Sequence, residues 1–234
     1  MNAQYMIGSG KLRPLLILAA VLALPAPLLA QERRLAPVDE AAKDGTWTSF
    51  RAELAAAVEK RDLEHVRRVL DPGVRNGSDS PRGIEEFRAQ WHLDAADSPF
   101  WREFAAALAL GSAWLEREDR PRELCAPYVL GKWPRDADPL ESGAVTVPAA
   151  PMKAGPSAKA RTLATLAHVV VPVIDWEVDD SDAGSKQKWV KIRAGGREGY
   201  LAEELMRSPV EHAACFAKTE LGWRLTVFGP AGRD

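Results

Sequence analysis

The chain has 234 residues, with 31 Lys and Arg against 33 Asp and Glu for a net charge of −2, and only two cysteines. It contains no Lys/Arg run of the kind that grips phosphate backbones, which argues against a nucleic-acid partner. Past residue 30 no stretch stays apolar long enough to span a bilayer, so stable membrane insertion of the mature chain is not expected.

Residues 1–30 read as an export signal. Lys11 and Arg13 supply a basic start, 15–24 is an apolar run too short for a membrane span, and Pro25 and Pro27 break it before the small residue Ala30. Cleavage after Ala30 would leave Gln31 first, with no cysteine there to take a lipid. The alternative is an anchor helix that stays in place, because Leu28 is not the small residue that cleavage favours. An export signal places the product in the periplasm or outside the cell. In such a compartment Cys125 and Cys215 are expected to form a disulfide. Neither lies in a C-x-x-C or nucleophile signature.

Residues 31–45 are charged and alanine-rich, and read as a flexible linker. Over 46–114 four helices are predicted, forming a small helical domain. In the first, near 48–60, Phe50, Leu54 and Val58 share one face. In the second, Asp62 is a suitable N-cap, Leu63, Val66, Val69 and Leu70 are apolar, and Asp71-Pro72-Gly73 is a stop. Ser80-Pro81 and Ser98-Pro99 each set a capping hydroxyl before a proline that is tolerated at the first helical position. Ile84, Phe87 and Trp91 then line the third helix. Trp101, Phe104, Ala105 and Leu108 line the fourth, which Gly111 can end.

Residues 115–141 lack a sustained period and read as an ordered connector, since free linkers seldom carry a Tyr128 and a Trp133. From 142 to 208 the pattern is strand-like, with Val145 and Val147 alternating and a β-branched run over 169–174 broken by Pro172. Gly195 and Gly196 suit a tight hairpin between Trp189-Val190-Lys191-Ile192 and Gly199-Tyr200-Leu201. A last hairpin within 209–234 turns at Thr219-Glu220-Leu221-Gly222.

These strand segments, taken in order, resemble a bacterial SH3-like (SH3b) domain. The resemblance rests on Val145-Thr146-Val147, Met152-Lys153-Ala154-Gly155-Pro156-Ser157, Leu163-Ala164-Thr165-Leu166, the tryptophan strand and the Gly-aromatic strand. His168-Val169 stands where that family commonly has a glycine, and the loop 175–186 is longer and more acidic than usual. The wider layout also resembles a group of exported bacterial proteins with a helical N-terminal region. These share an Ala-Pro-Tyr connector (Ala126-Pro127-Tyr128), an SH3-like domain and a Trp-x-x-Thr-x-Phe strand (Trp223 to Phe228). The fold so implied is α+β: a small N-terminal helical domain, an SH3-like β-barrel and a terminal β-hairpin. The implied function is binding rather than catalysis, with a peptidoglycan peptide or an envelope protein as partner.

The aromatics are the predicted binding equipment. Trp176, Trp189, Tyr200, Tyr128 and Trp133 could wall a shallow groove for an extended peptide, or could fill the core instead. Trp176 and Tyr200 are the preferred contacts. Asp180 and the rest of the acidic loop 175–182 would favour a cationic ligand. Asp180-x-Asp182-x-Gly184 is only a fragment of a calcium loop, with Lys191 where the closing Glu should stand, so no metal is expected. No cofactor is implied. Two other readings compete. One is a small enzyme or ligand binder with a nuclear-transport-factor-like pocket near His92 and Asp94, whose imidazole and carboxylate could do general-base work. The other is an adaptor that docks a protein through its helical face.

Overall fold

The computed structural model describes Met1 and residues 33–77, 82–117 and 120–231. The predicted export signal, Met1 apart, lies outside the described residues, as does the Ser80-Pro81 cap. The Asp44 carboxylate accepts from the Thr46 N–H at 2.9 Å and starts α1 (Gly45–Glu59). Asp62 does the same for His65 N–H at 2.9 Å and starts α2 (Leu63–Val69), as its sequence context implies. The chain then runs straight into strand β2 (Leu70–Arg75). Next come α3 (Ile84–Trp91) and α4 (Phe100–Ala109). The Ser98 hydroxyl ties them together by donating to Trp91 O at 2.6 Å and accepting from Phe100 N–H at 3.2 Å.

Past α4 the chain forms β3 (Ala113–Arg117), β4 (Arg120–Ala126) and the short helix α5 (Tyr128–Lys132). Its last two strands are β12 (His212–Thr219) and β13 (Gly222–Pro230). These strands and β2 make one five-stranded sheet in the order β2-β13-β12-β4-β3, so the terminal hairpin lies in the middle of it. The inward faces of β4, β12 and β13 bury Leu124, Ala126, Ala214, Phe216, Trp223, Leu225 and Phe228. Against them the helices set Trp47, Leu54, Val66, Phe87, Trp91, Phe100 and Phe104 in one continuous hydrophobic cluster.

This overturns the expected arrangement of a helical domain, a barrel and a terminal hairpin in series. Among the described residues the fold is mostly β, with thirteen strands in two sheets and five short helices, and the helices form no domain of their own. The physical reason is burial. Amphipathic helices of seven to fifteen residues need a cover for their apolar stripes, and the covering sheet face comes largely from the far end of the chain. Two further expectations change. Residues 33–44 are no flexible linker: β1 (Arg33–Arg34) pairs with Val170 and Val169, Leu35 and Ala41 are buried, and the Glu40 carboxylate accepts from Trp114 N–H at 2.7 Å. Much of the expected connector is itself strand and helix.

Between β4 and β12 the chain builds the larger sheet. Its strands are β5 (Ser142–Val145), β6 (Ala150–Lys153), β7 (Thr162–Leu166), β8 (Val169–Asp179), β9 (Lys188–Ala194), β10 (Arg197–Ala202) and β11 (Met206–Arg207). A 3-10 turn, Glu203–Leu205, precedes β11. The order is β11-β5-β8-β9-β10-β6-β7, with β1 beside β8. The eleven-residue β8 pairs with β5 at its start and with β9 further along. Val145, Met152, Val171, Val190, Ile192, Leu201 and Met206 fill the core that this sheet encloses. The larger sheet leaves and rejoins the smaller one at adjacent strands. There Cys125 and Cys215 are register partners and form the expected disulfide.

Ala194 and Arg197 close the β9–β10 hairpin over Gly195 (φ +54°) and Gly196 (φ +73°). Both glycines hold the left-handed backbone that a two-residue hairpin turn needs. Gly196→Val is therefore expected to lower stability by roughly 1–3 kcal/mol. An unchanged midpoint in urea unfolding would contradict that strain. His168 adopts the same left-handed region (φ +46°) at the β7–β8 turn, where the SH3b pattern commonly has glycine.

Candidate functional site

Strand alternation sorts the predicted ligand-binding residues. Val190 and Ile192 of β9 point into the core, so Trp189 and Lys191 project from the opposite face. On β10, Gly199 and Leu201 are buried and Tyr200 projects outward with Lys191, its register partner. On its other side Tyr200 pairs with Lys153 of β6. The outer face thus carries a row of Asp175, Lys191, Tyr200 and Lys153 across β8, β9, β10 and β6. Trp189 is two residues along β9 from this row. Lys191 is paired with Glu198 at 2.9 Å, which raises the lysine above its usual range. Among the described residues Lys153 has no carboxylate at ion-pair distance.

Although it faces outward, Trp189 is only 3% exposed. Its Nε1–H donates to Asp180 Oδ2 at 3.0 Å, at the start of the loop 180–187. Asp180 also accepts from Asp182 N–H at 2.7 Å and from the Ser185 hydroxyl at 2.9 Å. The Asp182 N–H and the Trp189 indole hold the Asp180 carboxyl below the ordinary aspartate range. A second loop, 154–161, is laced to the first. Ser181 N–H donates to Pro156 O at 2.8 Å, and Asp182 takes the Ser157 hydroxyl at 2.8 Å and Lys159 Nζ at 3.4 Å. Gln187 reaches Glu204 on the 3-10 turn.

The other predicted contacts lie elsewhere. Tyr128 is fully buried where the two sheets meet, its hydroxyl donating to Leu35 O at 3.1 Å, so it cannot touch a ligand. Trp133 Nε1–H donates to Ala137 O at 2.9 Å. Trp176 is half-buried: its indole N–H donates to Leu140 O at 3.1 Å and its ring packs over Gly143, where a Cβ would meet it at 2.7 Å. The structure therefore brings Trp189, Tyr200 and Asp180 together and sets Trp176 and Tyr128 apart as packing residues. Lys153, Lys191, Ser157 and Lys159 belong to the same surface and escaped sequence reasoning. For Lys153 and Lys191 the signal is register, each lying opposite Tyr200, whereas Ser157 and Lys159 lie in a loop and meet Asp182 only through the tertiary fold.

His92 closes α3 in the left-handed conformation (φ +46°) and is exposed, while Asp94 is tied to Arg88 at 2.9 Å. Together with Glu85 they line an open groove on the surface. Behind it the space between helices and sheet is filled by Trp91, Phe100, Phe104 and Phe228. A different imidazole–carboxylate pair was not foreseen: His212 Nδ1 lies 3.3 Å from Glu103 Oε2, with its ring against Trp91. These residues are distant in sequence, and no local spacing joins them. Among the described residues no group of His, Cys, Asp and Glu is disposed to hold a metal ion, and no helix is long and apolar enough to cross a membrane.

Comparison with protein-family models, with curated proteins and with solved structures finds no match for this chain.

Proposed function

We propose that this is an exported, non-enzymatic binding protein whose larger sheet serves as an SH3b-like module for peptides of the cell wall. The observation that carries the reading is the outer face just described: Tyr200 in register with Lys191 on one side and Lys153 on the other, on the same face as Trp189. A flat ring offers contact area at small entropic cost, and Lys153, which unlike Lys191 is not paired with a carboxylate among the described residues, favours carboxylates. Support for the module comes from the two-glycine hairpin that joins the tryptophan strand to the Gly-aromatic strand, in the order that the sequence resemblance implies. The disulfide suits an oxidising compartment.

Ligand charge is the point on which the structure changes the argument. The acidic loop was expected to attract a cation. Three of its five carboxylates are engaged internally instead: Asp179 by Lys188, Asp180 by Trp189, and Asp182 by Ser157 and Lys159. The cationic Lys153 beside Tyr200 points to a carboxylate-bearing peptide, and cell-wall stem peptides carry free carboxylates. The test is retention of the mature protein on purified peptidoglycan sacculi. Tyr200→Ala is expected to cut retention about tenfold, the effect of losing one well-stacked ring, and Lys153→Glu to weaken it further at low salt. Undiminished retention of both variants would overturn the reading. Capture of an envelope protein in place of sacculi would move the ligand to the other class.

A further inference from the structure

Trp189 is an anomaly in the packing. It is buried, yet it joins none of the three hydrophobic clusters, because it stands on the face of β9 opposite Val190 and Ile192. Its indole N–H is covered by Asp180, which opens 180–187, a polar loop that is mostly exposed. What holds that cover down is a set of side-chain hydrogen bonds, with Asp180 on the indole N–H and Asp182 on Ser157 and Lys159. A cover held by apolar contact would resist a competing ligand. A cover held by exchangeable carboxylate bonds can be replaced, bond for bond, by another carboxylate.

We infer that the loop 180–187 is an internal competitor that shuts the Trp189 subsite in the free protein. Its two carboxylates occupy the positions that ligand carboxylates take on binding. A cell-wall peptide opens the site by supplying one carboxylate to the Trp189 indole in place of Asp180 and another to Ser157 and Lys159 in place of Asp182. This rests on the reading that the outer face of the larger sheet is the ligand surface, and it adds how that surface is regulated.

The experiment uses the whole mature chain with its indoles labelled for NMR, Trp189→Phe identifying the Trp189 resonance. Asp180→Ala is expected to speed exchange of that indole proton about tenfold, the loss of one charge-assisted hydrogen bond, and to raise retention on purified sacculi several-fold. Ser185→Ala, which removes one of the loop's own bonds to Asp180 without touching the indole, should shift both readouts the same way by less. Asp97→Ala, an exposed carboxylate between α3 and α4 and outside the proposed ligand surface, should move neither. An indole as protected in Asp180→Ala as in the parent overturns the latch. Faster exchange with unchanged retention overturns the role of Trp189 as a ligand contact and leaves the Tyr200 surface standing. Failure of the parent protein itself to bind sacculi overturns the cell-wall reading, and the exchange measurement still decides the latch.

Discussion

Replacing Cys125 and Cys215 together by alanine is expected to cost about 4–5 kcal/mol, a large share of the 5–15 kcal/mol that holds a domain folded. The bridge spans a sequence separation of 90 residues. In the chain-entropy model a loop of that length, closed in the unfolded state as well as the folded one, removes a correspondingly large part of the unfolded ensemble. Here the closed loop has a structural meaning. It contains every strand of the larger sheet except β1; the chain leaves the smaller sheet after β4 and returns at β12, strands that lie side by side. Without the bridge, pairing of those two strands must itself overcome the entropy of the excursion. Urea unfolding of the oxidised protein, of the reduced protein and of the double variant would read the difference. Reduction should reproduce most of the effect of the substitutions. A loss below about 1 kcal/mol would mean that the unfolded chain already keeps the two stems together.

What could be read from the sequence was what local chemistry decides. Asp62 caps its helix because an aspartate one residue before an apolar period accepts the free N–H groups whatever lies beyond. Gly195 and Gly196 make a hairpin because both must take positive φ. What escaped depends on partners distant along the chain. Asp71-Pro72-Gly73 does follow the end of the helix at Val69, but that the same residues lie within strand β2 was not foreseen. A proline is tolerated there because β2 is the edge of its sheet. Arg33–Arg34 is a strand only because Val169 and Val170 lie beside it. The apolar stripes of the helices were visible, but no periodicity says whether another helix or a sheet face will cover them.

The site was legible in the same uneven way. A tryptophan strand and a Gly-aromatic strand announced themselves by composition, and register then set Trp189 and Tyr200 on one face. Composition could not tell that Trp176 would lie over Gly143 as packing, or that Tyr128 would be sealed between two sheets. Nor could the net charge of the acidic loop show that Asp179, Asp180 and Asp182 would be satisfied from within. Charge counts describe what a surface holds before its own hydrogen bonds are made.

Phe228→Ala is expected to cost about 3–5 kcal/mol, as for large-to-small changes at fully buried aromatic sites. Phe228 is completely buried on the last strand, and its ring lies 4.6 Å from Trp91, 5.3 Å from Phe100 and 4.8 Å from Phe104, centroid to centroid. Those three residues belong to α3 and α4, more than a hundred residues earlier in the chain. Removing the ring leaves a cavity where two helices meet the sheet, and the neighbouring rings are too large to close it by small shifts. The same hairpin supplies its own control. Leu221, at the tip, is 80% exposed, so Leu221→Ala should change stability by no more than about 0.5 kcal/mol. The contrast separates two architectures. Were the terminal hairpin an appendage, both substitutions would be mild and the near-UV circular dichroism of the buried tryptophans would survive each. With β13 in the centre of the sheet, Phe228→Ala must lower the urea midpoint and reduce that signal while Leu221→Ala leaves both in place. Equal, small effects at the two positions would return the helices to a domain that folds without the chain's last strands.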